Sequence, residues 1–365
     1  MKKIKISSVI LSLIFVLSGC GALKKDQPKD TSSATSDTAP ATEAVTSASD
    51  TEDTASQVVE TVNDDDDEDY FQYRMLVTSP MFEEVMGEDM TQAYKNFIAA
   101  IENGEDHFEC SDENTFYWMM GQYAYNCNPV VADFTQAVEF KDGTGYFQYT
   151  IPEEEFREKE KEFEELVTDI LNEALEPEYS DIECALALYS YIAMNYEYDY
   201  DKYNEPVIKD VTPYRFLTGG KGICQEIGIA YAFLLMQLDI DAAGVGGNNN
   251  ETGHEWTIIR INGKCYNIDA TWALGSSDLS YFMMTDAQRE SEGGFIPEKS
   301  RKVNNYPYEM DPDYVSPYVC DDESFEEIWG TYFDHLDAES DLLYYRAWDD
   351  ITGWYTGTFD LSGFD

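Results

Sequence analysis

The sequence predicts an α+β protein in which a cysteine-bearing helix packs on an antiparallel β-sheet, and three observations carry that expectation. In ICQEIGIAYAFLLMQL, Ile227, Tyr231, Leu234, Leu235 and Leu238 recur at helical spacing behind Cys224. HEWTIIRI and KCYNIDAT read as two strands joined by Asn262-Gly263, a strong short-range hairpin signal. Between helix and hairpin, AAGVGG reads as a short strand ending in glycines and NNNETG as a loop. A helix and a sheet of this kind bury their apolar sides against each other.

The remaining elements follow in chain order. Lys2, Lys3 and Lys5 precede SSVILSLIFVL, an apolar run too short to span a bilayer as an ordinary helix, which ends in LSGC. This pattern resembles a bacterial lipoprotein signal. The resemblance implies a signal peptide at 1–19 and lipid attachment at Cys20; an ordinary secretory signal cut near Gly19–Ala22 is the competing reading. From 20 to 69 the chain is an acidic Ser/Thr-rich linker with almost nothing to bury, which predicts a disordered tether. The run DDDDED at 64–69 lacks a glycine-spaced ligand loop and reads as a solvated charge run.

Residues 70–151 read as an N-terminal α/β subdomain. Thr91–Glu102 is an amphipathic helix ended by Asn103-Gly104, Thr115–Tyr125 is aromatic and helical, and Phe134–Ile151 alternates around KDGTG as a hairpin. Pro152 opens a long charged helix with a stripe of Leu166, Ile170, Leu171 and Leu175. Asp181–Asn195 forms the next helix. After Trp272, LSYFMMTDAQR is expected to add a strand and a short turn. Residues 321–365 read as a helical and aromatic extension, with SFEEIWGTYFDHL its helix.

Composition excludes several functions. With 23 basic against 73 acidic residues the formal charge is −50, which argues against nucleic-acid binding and against charge-driven docking on anionic lipid. Seven cysteines and three histidines include no pair with zinc-ligand spacing, so no metal and no cofactor are expected. Cys110 and Cys127 flank the aromatic helix and are a candidate disulfide.

The chemistry-bearing residues are Cys224, His254 and Asp269. Cys224 falls in the first turn of a buried helix, where free N–H groups and the helix dipole favour thiolate and could hold an oxyanion. His254 starts one strand and Asp269 ends the next, so a hairpin about Asn262-Gly263 brings them near one end. A thiol nucleophile needs an imidazole to move the proton and a carboxylate to orient the imidazole. Taken singly, each residue has a plain reading: a buried small side chain, a satisfied strand-end histidine, a turn cap. Their order favours a joint one.

GKGICQEIGIAYAFLL, GHEW and YNIDATW resemble the cysteine, histidine and aspartate motifs of the transglutaminase-like superfamily, within the papain-like thiol enzymes. The spacings are 30 (254 − 224) and 15 (269 − 254) residues. The resemblance implies a transglutaminase-like domain at 152–320, with Cys224 as nucleophile, His254 as general base and acid, and Asp269 as orienting carboxylate. It also assigns Tyr214 to the border of the thiol or oxyanion site. Thr257 stands where asparagine is more usual. Trp256, Tyr266, Trp272 and Cys265 read as packing residues. For Gln225 and Glu226, beside the thiol, a solvated position is an equal alternative.

The function expected is a membrane-anchored extracytoplasmic thiol enzyme acting on protein, peptide or cell-wall amides through a thioester, with hydrolysis favoured over transamidation. The alternatives are a catalytically inert surface binding or scaffold module and a solute-binding lipoprotein.

Overall fold

The structure, a computed structural model, describes residues 70–249, 252–295, 302–303 and 318–364. The expected signal segment, Cys20 and the expected tether lie outside the described residues.

Ser79 accepts from the Phe82 amide and Pro80 follows, which opens helix α1 (Pro80–Met86). Helix α2 (Glu88–Glu102) buries Met90, Tyr94, Phe97, Ile98 and Ile101 and ends at Asn103, as its periodicity requires. A short strand β1 (His107–Glu109) precedes α3 (Glu113–Trp118). A π-helical turn at Met119–Tyr123 interrupts the aromatic helix before α4 (Ala124–Cys127). Helix α5 (Pro129–Phe134) leads into the predicted hairpin, β2 (Thr135–Lys141) and β3 (Thr144–Tyr149). Its turn uses Asp142 and Gly143, both at positive φ. Strand β1 completes this sheet beside β3; three residues are too few for alternation to reveal it.

Helices α6 (Glu153–Ala174) and α7 (Asp181–Asn195) occupy their expected positions, α7 opened by a Ser180–Glu183 capping box. Then come β4 (Glu197–Tyr198), α8 (Tyr200–Tyr203), α9 (Pro213–Gly219) and β5 (Lys221–Gly222), with β4 and β5 parallel. Helix α10 (Cys224–Gln237) is buried along its whole length. Tyr231 of α10 donates to the Ala185 carbonyl of α7 at 2.7 Å.

The central sheet contains β6 (Asp241–Asn248), β7 (Gly253–Ile261), β8 (Lys264–Ile268) and β9 (Lys302–Val303) in the antiparallel order β8-β7-β6-β9. The β7–β8 turn is Asn262-Gly263, with φ 50° and 77°. These angles match the hairpin turn that an Asn-Gly pair favours. Mixed helix and antiparallel sheet is thus the fold class, as the sequence indicates.

Two elements differ from expectation. LSYFMMTDAQR gives a 3₁₀ turn at Leu279–Tyr281, a single bridge from Met284 to Asn267, and then helix α12 (Asp286–Ser291), which follows the short α11 (Ala270–Ala273). Thr285 caps α12 through its hydroxyl, a start signal that the apolar run before it obscured. SFEEIWGTYFDHL is not a helix beyond one 3₁₀ turn at Glu326–Ile328. Gly330, at φ 81°, turns the chain out of it. Strands β10 (Tyr332–Asp337), β11 (Leu342–Asp349) and β12 (Gly353–Asp360) then form a three-stranded antiparallel sheet. Along β11, Leu343, Tyr345 and Ala347 turn inward at period 2, a strand pattern that the helical expectation missed. The candidate Cys110–Cys127 disulfide is absent: both side chains are buried thiols.

Candidate active site

Cys224 is the first residue of α10 and is 4% exposed. The chain reaches it through Gly220, which ends α9 in the left-handed region at φ 76°. The start of α10 is held by Glu226. This side chain is fully buried and accepts from the Ile223 amide at 2.9 Å, the Thr212 amide at 2.9 Å and Arg215 Nε at 2.7 Å, with Arg215 Nη2 as a further donor. Arg215 Nη1 also donates to Asp199 at 2.8 Å. Its hydrogen bonds to Glu226 raise the Arg215 pKa above the ordinary arginine range. Burial opposes the charge of Asp199, but Arg215 and the Lys202 amide outweigh it and hold that carboxyl below its usual range. The solvated alternative for Glu226 and Gln225 therefore does not hold; Gln225 is 7% exposed. A glutamate in a first helical turn ordinarily faces water, and here Arg215, eleven residues upstream, makes its burial tolerable.

His254 and Asp269 meet. His254 Nε2 lies 2.6 Å from Asp269 Oδ2, and both residues are buried. They stand beyond the last β7–β8 pair, Thr257 with Ile268, at the open end of the hairpin. Asp269 also caps α11, its Oδ1 accepting from the Thr271 amide at 3.2 Å. With Nε2 engaged, Nδ1 is the ring nitrogen that faces any thiol partner.

Sequence reasoning missed Arg289. This fully buried residue of α12 donates from Nη1 to the same Asp269 Oδ2 at 2.8 Å and from Nη2 to the Glu292 carbonyl at 3.1 Å. Its guanidinium carbon lies 5.1 Å from the Trp256 ring centre, 4.9 Å from Trp272 and 4.9 Å from Phe295. Burial works against the Asp269 charge, yet His254 and then Arg289 outweigh it and keep the carboxyl below its ordinary range. Burial likewise lowers the Arg289 pKa, with Asp269 opposing. The available signal was a lone arginine in an otherwise apolar and acidic stretch.

Topology relates Cys224 to this pair. Helix α10 turns back through Leu238–Ile240 into β6, so it runs antiparallel to β6 and parallel to β7. In the sheet, Asp241 pairs with Arg260 near the helix C-terminus, and Gly247 pairs with His254 at the other end. The N-terminus of α10 therefore returns to the His254 end. Contact with β7 is close: a Cβ on Gly228 would meet the Trp256 Cα at 3.0 Å. Thr257 donates to the Gly228 carbonyl at 2.7 Å, so the threonine in place of asparagine joins strand to helix. Alternation along β7 puts Thr257 toward α10 and His254 with Trp256 on the face of Arg289.

Tyr214, expected at the border of the thiol or oxyanion site, lies in α9. Its ring packs on Phe134 and Phe163, and burial raises its pKa, with Lys159 and Asp133 nearby. The Trp256 and Tyr266 rings are buried, Trp272 is half-buried, and Cys265 fills the core. Among the described residues no group of three or more His, Cys, Asp or Glu is arranged to hold a metal ion. None of the described helices is long and apolar enough to cross a membrane.

Residues 168–270 match the family model of the transglutaminase-like superfamily. Among solved structures, the chain is similar to a crystal structure of a TGase, at 14% identity and TM-score 0.30, over 53% of this chain and 56% of that one. It is also similar to a proposed cysteine protease from Cytophaga hutchinsonii, at 13% identity and TM-score 0.28, over 47% of this chain and 67% of that one. No curated protein matches.

Proposed function

Residues 168–270 belong to the transglutaminase-like superfamily, and from that premise we propose that this protein is a thiol enzyme acting on peptide or amide bonds. The observation that carries the reading is the 2.6 Å His254–Asp269 pair, at the end of the sheet to which the Cys224 helix returns. Cys224 passes its proton to His254 Nδ1, and the sulfur attacks the amide carbonyl. The tetrahedral oxyanion is met by free N–H groups at the start of α10. Collapse breaks the C–N bond as His254 returns the proton to the leaving amine, leaving a thioester on Cys224. Water, deprotonated by His254, then releases the acid and restores the thiol; an amine in its place would yield a new amide. Asp269 holds the imidazole by Nε2 throughout. Hydrolysis is the favoured outcome, because water is always present and nothing in the sequence marks an amine site. The LSGC motif behind a basic, apolar start supports a lipid anchor at Cys20 and action outside the membrane on proteins, peptides or wall amides.

The competing reading, an inert surface module, draws on the burial of Cys224, which leaves little of the thiol open to substrate. A thiol-reactive probe near neutral pH, with Cys224→Ala as control, separates the two. Labelling that is lost in Cys224→Ala and slowed in His254→Ala is expected. Labelling indifferent to both changes ends the enzymatic reading.

A further inference from the structure

We propose that Arg289 is a positioning residue of this site, acting through Asp269 on the orientation and tautomer of His254. The inference rests on the proposed triad but goes beyond it, since three side chains suffice for that mechanism.

The argument starts from one oxygen. Asp269 Oδ2 receives His254 Nε2 at 2.6 Å and Arg289 Nη1 at 2.8 Å. The two donor nitrogens are therefore at most 5.4 Å apart (2.6 plus 2.8 Å). An ionised carboxylate only accepts, so the imidazole must present Nε2–H and keep its Nδ1 lone pair for the thiol. A fully buried carboxylate with only a neutral imidazole beside it would be poorly compensated. Arg289 supplies the missing charge and stays charged itself.

The arginine is held independently of the pair it serves. Its Nη2 bonds the Glu292 carbonyl, and its plane lies among the Trp256, Trp272 and Phe295 rings. All three rings also flank the imidazole, Trp256 at 6.0 Å, Trp272 at 5.8 Å and Phe295 at 5.0 Å between centres. The same aromatic walls thus hold both nitrogen donors to Asp269. The other titratable groups around Arg289 are Tyr281 and Glu292. Glu292 is engaged through its backbone carbonyl; Tyr281 is held neutral by burial, its pKa raised far above the ordinary value. Asp269 is left as the carboxylate that hydrogen-bonds the guanidinium, while the Glu292 carboxylate acts on it through charge alone.

The test reads the ring rather than turnover. The chain has three histidines, and His107 and His335 are exposed. In full-length protein labelled with ¹⁵N-histidine, a slowly exchanging imidazole N–H belongs to His254. It is read in a Cys224→Ala background, without the thiol. The proposal expects that N–H at Nε2, its retention in Arg289→Lys, and exchange at least about tenfold faster in Arg289→Gln, a loss of the order expected for one charge-assisted hydrogen bond. An Arg289→Gln protein with native circular dichroism and an unchanged ring N–H overturns it. Should Arg289→Gln not fold, Arg289→Lys decides: a folded lysine variant without the protected N–H also overturns it. Failure of the triad reading is distinguishable, because it appears as an unreactive Cys224 in the thiol-probe experiment while the ring N–H still depends on Arg289.

Discussion

Replacing Glu226 with alanine removes the group that sets the start of the cysteine helix. The carboxylate is fully buried and accepts two backbone N–H groups and two N–H groups of Arg215. Its loss strands the Ile223 and Thr212 amides, each costing about 1–3 kcal/mol if it stays dry. Arg215 suffers less, because it keeps Asp199 at 2.8 Å and is partly open to water. The whole change should then cost about 3–5 kcal/mol, the range for breaking one side of a buried pair. Glu226→Gln keeps one acceptor oxygen but turns an amide NH₂ toward donors, so a smaller loss of about 1–3 kcal/mol is expected. Urea unfolding is the assay, comparing midpoints at constant slope. An alanine variant within about 1 kcal/mol of wild type at unchanged slope would refute the assignment. Cys224 labelling in the same variant should slow, since Ile223 no longer anchors the first turn.

Gly228→Ala should destabilise by about 1–3 kcal/mol, since the new methyl meets the Trp256 backbone, which cannot swing aside; an unchanged melting temperature would contradict the close packing of α10 on β7. Asp269 is held below its ordinary carboxyl range, so its charge stabilises the fold above the unfolded pKa of about 3.9 and this contribution fades as pH falls through the lower folded value. The stability gap between wild type and Asp269→Asn should therefore be flat above about pH 5 and narrow below about pH 4; a gap that widens on acidification refutes it. Burial pushes the Cys184 thiol up to about 12 and that of Cys127 far above its ordinary value. Mass spectrometry after brief native alkylation should find both unmodified, and early modification of either would show that the core opens there.

What the sequence determined by itself was whatever local chemistry carries. The apolar repeat from Ile227 to Leu238 specifies a buried helix, and Asn262-Gly263 specifies a two-residue hairpin. Once that hairpin exists, His254 and Asp269 are near its open end, because strand register fixes which residues face each other. Their 2.6 Å contact was legible for that reason. The C-terminal strands were locally encoded too, in the inward alternation of Leu343, Tyr345 and Ala347, but an aromatic stretch with scattered acids suits a helix almost as well. Glu226 and Arg289 were decided only in three dimensions. Each is a charged side chain that local rules send to water. Each is buried because a partner from another element, Arg215 or Asp269, offsets the cost of desolvation. No periodicity records such pairings, since they depend on where the folded chain brings α9 and α12.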